Sequence, residues 1–152
     1  MDAIKLLKSD HDTVEGIFEK LKSTTERAVK TREELFTKLK TELDVHAHIE
    51  ETIFYPALKK EAETRDITFE GVEEHHVIKI LLRELAAMPV DTEQWTAKLK
   101  VLKENVEHHV EEEETDMFKS AREVFSKEQL DEFGARMEAE KKQQMKSIAA
   151  SS

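Results

Sequence analysis

The chain has 152 residues, 38% hydrophobic and 38% charged, with a formal net charge of −10, three glycines, two prolines and no cysteine. That length fits one domain around a single core. The acidic balance excludes a nucleic-acid surface, which needs a concentrated basic patch, and the missing cysteine excludes disulfides, iron–sulfur clusters and thiolate zinc sites. With so few turn residues and so many helix formers, an all-α protein is expected. Lys5 and Lys8 interrupt the apolar stretch near the start, so neither a signal peptide nor a membrane span is expected. A soluble, cytoplasmic protein is the default reading.

Helix one opens at Asp2, a plausible N-cap, and carries Ile4, Leu7, Val14, Phe18 and Leu21 at helical spacing, with His11 inside the stripe. Taken alone, such a histidine is a packed core residue. Ser23 to Lys30 reads as a loop. Helix two starts at Thr31, with Glu34 completing a capping box. Its stripe runs Leu35, Leu39, Leu43, His46, Glu50 and Ile53, and His48 and Glu51 point away toward solvent. Pro56 removes a backbone donor and is expected to kink the helix near Tyr55. Ideal periodicity puts Tyr55 outside, and the kink could turn it inward.

After a polar loop at Glu63 to Thr68, helix three carries Val72, His75, Ile78, Leu82 and Leu85 and ends before Pro89. His76 is expected to be exposed, and Lys79 to flank the stripe. Helix four begins at Asp91, with Gln94 as its capping partner. Its stripe is Trp95, Leu99, Leu102, Val106, His109, Glu113 and Met117, with His108 and Glu114 off the face. Helix five begins at Ser126 with Gln129, and carries Leu130, Phe133 and Met137. It is expected to fray beyond Glu138 toward Ser152, and it shows no chemistry of its own. The expected architecture is an antiparallel up-down-up-down four-helix bundle over residues 1–125, followed by a C-terminal helix and frayed tail over 126–152.

Two segments match each other: His46 to Pro56 (HAHIEETIFYP) and His109 to Phe118 (HVEEEETDMF). In each, a histidine is followed four residues later by a glutamate, and positions four apart share a helix face. Both pairs fall where aliphatic residues would continue an inward stripe. His11 and His75 come early in helices one and three, while His46 and His109 come late in helices two and four. In an antiparallel bundle all six residues therefore reach one level. An uncompensated buried carboxylate costs several kcal/mol, and no inward arginine or lysine is evident. A metal pair resolves this, since carboxylates bridge and imidazoles ligate; nitrogen and oxygen donors without sulfur suit iron, manganese or zinc, and this set favours a dinuclear non-haem iron centre.

The combination of Asp10–His11, HxxxEE followed by FYP, EEHHVIKILL (Glu73 to Leu82) and HHVEEEE (His108 to Glu114) resembles the hemerythrin-like HHE cation-binding family over about residues 1 to 125. The resemblance implies two non-haem iron ions, oxo- or hydroxo-bridged. It places the ligands on His11, His46, Glu50, His75, His109 and Glu113, with Glu50 and Glu113 bridging. Oxygen-carrying members have another histidine four residues after the one matching His75, where this chain has Lys79. Tyr55 is the candidate replacement ligand and Glu51 the second. An anionic replacement would lower the redox potential and disfavour reversible oxygen carriage. The leading expectation is a di-iron protein that binds or breaks down a small oxidant (O2, H2O2 or NO) in a catalase-like or peroxidase-like way. The alternatives are a non-enzymatic iron, oxygen or redox sensor read out through helix five, and a metal-free scaffold.

Overall fold

Helix α1 (Ala3–Lys22) starts where expected, because the Asp2 carboxylate accepts the Lys5 N–H at 2.8 Å and satisfies a first-turn donor. In this computed structural model, which describes residues 1–151, the other elements are α2 (Val29–Ile49), α3 (Tyr55–Lys59), α4 (Arg65–Ala86), α5 (Glu93–Glu112), α6 (Phe118–Val124) and α7 (Lys127–Ser151). Two single π-helical turns, Glu50–Phe54 and Glu113–Met117, weld α2 to α3 and α5 to α6. The result is the expected all-α bundle of four long rods with an added C-terminal helix. That last helix, α7, packs across α1 and α2. Among the described residues no helix is long and apolar enough to cross a membrane.

Several boundaries differ from expectation for tertiary reasons. The Thr31–Glu34 capping box does not form, since α2 already begins at Val29, with Ala28 at the N-cap. Buried Arg32 anchors that first turn by donating to the Val90 carbonyl at 2.7 Å and to Thr24 Oγ1 at 3.0 Å, and it lies 5.1 Å over the Trp95 ring. The loop expected over Glu63 to Thr68 is shorter, with α4 running from Arg65. Buried Thr64 and Thr68 fit there because their hydroxyls donate to the Leu58 and Thr64 carbonyls, each at 2.6 Å. Helix α5 is capped by Thr92, whose Oγ1 accepts the Trp95 N–H at 3.1 Å, rather than by Asp91 with Gln94.

At the other end, Ser126 and Gln129 form the reciprocal box foreseen for them, at 2.8 and 3.1 Å. Helix α7 then continues through Ser151 instead of fraying after Glu138, held by contacts of Glu140, Lys141 and Met145. Ser152, where fraying was expected, lies outside the described residues.

The π turns replace the simple kink expected at Pro56. In the first, the Tyr55 N–H reaches the Glu50 carbonyl, and in the second the Phe118 N–H reaches the Glu113 carbonyl. Proline is not the general cause, because the second rod has none there. Each turn begins on one of the two inward glutamates. One extra residue per turn rotates the downstream side chains by about 100°, so Phe54 and Tyr55 are buried while Ile53 is only partly so.

The core divides in two. One apolar cluster includes Leu7, Ile49, Phe54, Phe118 and Met137, the other Val14, Leu39, Leu82, Trp95 and Val106. Buried His11, His46, Glu50, His75, His109 and Glu113 form a polar layer between them.

Helix α7 meets the start of α1 at Gly134, where an added Cβ would collide with the Met1 carbonyl oxygen and lie 2.8 Å from the Ala3 nitrogen. Both obstacles are backbone. Gly134→Ala is therefore expected to destabilise the protein by about 1–3 kcal/mol despite its better helix propensity. Gly16→Ala, on an open helical surface, is expected to add about 0.5–1 kcal/mol. Denaturant unfolding of the two variants checks the pair.

Candidate metal centre

The polar layer turns its donor atoms toward one point. His11 Nε2 lies 3.1 Å from Glu113 Oε1, and His46 Nε2 lies 3.1 Å from Glu50 Oε1. His75 Nε2 is 3.2 Å from Glu50 Oε1 and 3.1 Å from His109 Nε2, which is itself 3.4 Å from Glu113 Oε2. Donors bound to one ion at about 2.0–2.2 Å stand about 3–3.5 Å apart. Within the layer two groups have the compactness for a cation: Glu50, His75, His109 and Glu113 on one side, and His11, His46 and Glu113 on the other. Glu113 belongs to both, offering a different oxygen to each.

Every one of these imidazoles has a carboxylate behind it. Nδ1 faces Glu114 from His11 at 2.6 Å, Asp10 from His46 at 2.9 Å, Glu51 from His75 at 2.8 Å, and Glu74 from His109 at 2.6 Å. A carboxylate acceptor places a ring proton on Nδ1, so Nε2 is the nitrogen aimed at the centre, and the ring is held in orientation.

Comparison with known proteins agrees with this arrangement. The family described as the hemerythrin HHE cation-binding domain matches residues 2–121. The chain belongs to that family. The uncharacterised protein Rv2633c of Mycobacterium tuberculosis is 32% identical over 143 residues, 91% of this chain and 84% of that protein. An HHE cation-binding domain-containing homologue from Mycobacterium kansasii superposes with a TM-score of 0.87 at 28% identity, over 99% of this chain and 91% of the other. A DNA nickase of Nostoc is 24% identical over 93% of this chain but only 39% of its own length.

The donor set fits the cation that HHE domains hold. Among the described residues, His46 Nε2 and both oxygens of Glu50 are buried without a hydrogen-bond partner, which is costly unless something else binds them. Electrostatics point the same way. Burial works against charge on His46, but Glu50, Asp10 and Glu113 outweigh it and hold its pKa well above the ordinary value. His109, likewise opposed by burial but drawn up by Glu113 and Glu74, reaches about 10. Burial would raise Glu113, yet His109 and His11 keep its carboxyl well below the usual range. The layer favours positive charge.

The structure also places Tyr55 against this polar layer. The π turn brings its hydroxyl to Glu113 Oε2 at 2.5 Å, with the ring stacked on His75 at 5.3 Å. Gly71 makes room: a Cβ there would lie 3.1 Å from Tyr55 Oη. Burial first, then Glu113 and Glu50, push the phenol well above its ordinary pKa, so it donates its proton to Glu113. Glu51, expected to be solvated or to serve as a second replacement ligand, instead sits behind His75 and pairs with Lys79 at 3.1 Å. The hydrogen bond from His75, opposed by burial and helped by Lys79, lowers its carboxyl to about 2. Glu114 was expected off the face and is half-buried behind His11, and His48 was expected in solvent but pairs with Glu140 of α7 at 3.0 Å. Asp10, Glu74 and Lys141 were not singled out as site residues, although Asp10 and Glu74 lie within the motifs Asp10–His11 and EEHHVIKILL.

Because His46 and His109 hold protons in the metal-free chain at neutral pH, a cation must displace them. Metal loading at pH 7 is expected to release protons, seen as a calorimetric enthalpy that varies with buffer ionisation enthalpy. Affinity should rise with pH from about 6.5 toward about 10, and occupancy should fall below about pH 6. Buffer-independent heats or full occupancy at about pH 4 would contradict histidine ligation.

Proposed function

We propose that this chain is a non-haem di-iron protein that binds a small oxidant and breaks it down in a catalase-like or peroxidase-like manner. The carrying observation is the pair of donor groups that share Glu113, one bearing His75 and His109 and the other His11 and His46. Glu50 Oε1 also stands between the halves, 3.1 Å from His46 Nε2 and 3.2 Å from His75 Nε2. In this reading the four histidines with Glu50 and Glu113 would hold the two ions, and Tyr55 would stand in for the family histidine that is Lys79 here.

Two iron ions held there supply a two-electron couple, which matches the reduction or oxidation of peroxide oxygen. The protein supplies positioning and exclusion. All four histidines line one side of a cavity of about 20 Å³, whose other walls include Leu43, Ile78, Leu82, Val106 and Val110. That is room for roughly one water, which suits hydrogen peroxide, O2 or nitric oxide and excludes bulky peroxides. A wider cleft of about 250 Å³ between α1 and α5 shares His11, Val106 and Val110 with the cavity, giving solvent a short route inward. The Tyr55 hydroxyl places a proton against Glu113 Oε2.

Iron-loaded protein is expected to consume peroxide, and His109→Ala to abolish that turnover. Val110→Phe, which fills the cavity wall without touching a donor, should slow it by about tenfold or more while leaving the iron content unchanged. Turnover equal in wild type and His109→Ala would refute the catalytic reading.

A sensor reading is favoured by one observation, the direct ties from α7 to the site layer through Lys141–Asp10 and Glu140–His48. If occupancy is transmitted outward, metal loading should change the rate of proteolytic cleavage within Lys127–Ser151. An unchanged digestion pattern there would count against it.

A further inference from the structure

Four carboxylates hold the four site imidazoles, but they are not equivalent. Asp10 is 3% exposed, whereas Glu74, Glu51 and Glu114 are 20, 28 and 35% exposed. Two of the four also carry a lysine. The Lys79–Glu51 pair, 3.1 Å apart, is open to solvent at 43 and 28%, where screening leaves an ion pair little strength. Lys141 instead brings its ammonium to within 2.5 Å of Asp10 Oδ1, with only 27% of its side chain exposed. The other oxygen of Asp10 accepts His46 Nδ1–H at 2.9 Å. The line runs from α7 through α1 to α2, and α7 lies beyond the residues that match the HHE family.

We propose that Lys141 is a positioning residue for the metal centre, holding Asp10 against His46 and drawing charge from it, and that it thereby sets the reduction potential of the bound iron. This rests on the reading of His46 as a ligand. The chemistry is that of a graded donor. A carboxylate accepting from Nδ1–H makes Nε2 a stronger donor and stabilises the more oxidised metal. An ammonium on the same carboxylate competes for its charge and weakens that effect. Each half of the site then has one attenuated imidazole (His46, His75) and one at full strength (His11, His109). Of the two lysines, Lys141 has the greater leverage because its partner is buried and its field is least screened.

The test is the midpoint potential of the full-length, iron-loaded protein, followed by its visible absorption alongside iron content and thermal midpoint. Lys141→Met is expected to move the potential to more negative values. Lys141→Arg should restore it toward wild type. Asp10→Asn, which keeps the acceptor but removes its charge, should move it the opposite way, a sign reversal that mere loosening of α7 would not produce. Lys142→Met, an exposed neighbour, should leave it unchanged. An unchanged or more positive potential in Lys141→Met, or an equal shift in Lys142→Met, overturns the proposal. If Lys141→Met does not fold, the Arg and Asn variants decide it by the same signs. His46→Ala separates the two readings: unaltered iron content and spectrum would refute His46 as a ligand, whereas lost iron together with wild-type behaviour of Lys141→Met would refute the role of Lys141 alone.

Discussion

Two glutamates with no exposed surface and, among the described residues, no lysine or arginine against them dominate this structure. A carboxylate removed from water must be neutralised, hydrogen-bonded or given a cation, because its desolvation costs several kcal/mol even after relaxation. Glu50 and Glu113 face imidazole nitrogens, and Glu113 also accepts from one phenol. Each imidazole aims Nε2 at the centre and so needs an acceptor behind it at Nδ1, and four further carboxylates supply these. Each shell is thus required by the one inside it. The apolar core is split into two clusters because this layer occupies the level between them.

The backbone bends to the same demand. An α-helix that placed Glu50 inward would continue with Ile53 inward and Tyr55 outward. The π turn that opens on Glu50 shifts the register and brings Phe54 and Tyr55 into the core. The matching turn on Glu113 leaves Met117 and Phe118 buried. Single π turns are costly relative to an unbroken helix and cluster at functional sites. Here the same device at the same level of two rods aims residues from below the layer into it.

The inner layer was legible because its signal is local. A histidine and a glutamate four apart interrupt an aliphatic stripe twice, and antiparallel packing fixes the depth of each interruption. The outer layer was not legible because its contacts cross between rods. His75 meets Glu51 from the π turn after α2, His109 meets Glu74 from α4, and His11 meets Glu114 from the π turn after α5. Which acidic residue of a charged run turns to face a neighbour depends on helix rotation and on the π turns, and neither can be read from periodicity. Lys141 was harder still, since it lies in a segment whose composition reads as a solvated, fraying end. Boundary errors at Thr31 and Asp91 have a similar origin: the buried Arg32 and Trp95 decided those turns, against good local capping patterns.

Charge balance links the two shells to each other. With neutral imidazoles and a protonated Tyr55, the layer and its outer shell contain six carboxylates: Glu50, Glu113, Asp10, Glu51, Glu74 and Glu114. Lys79 and Lys141 offset two of them, which leaves a net negative surround for the imidazoles. Protons answer that charge in the metal-free protein, which is why His46, His75 and His109 all titrate above their ordinary value. A cation supplies the same positive charge at the same nitrogens, so metal and protons compete for one set of atoms.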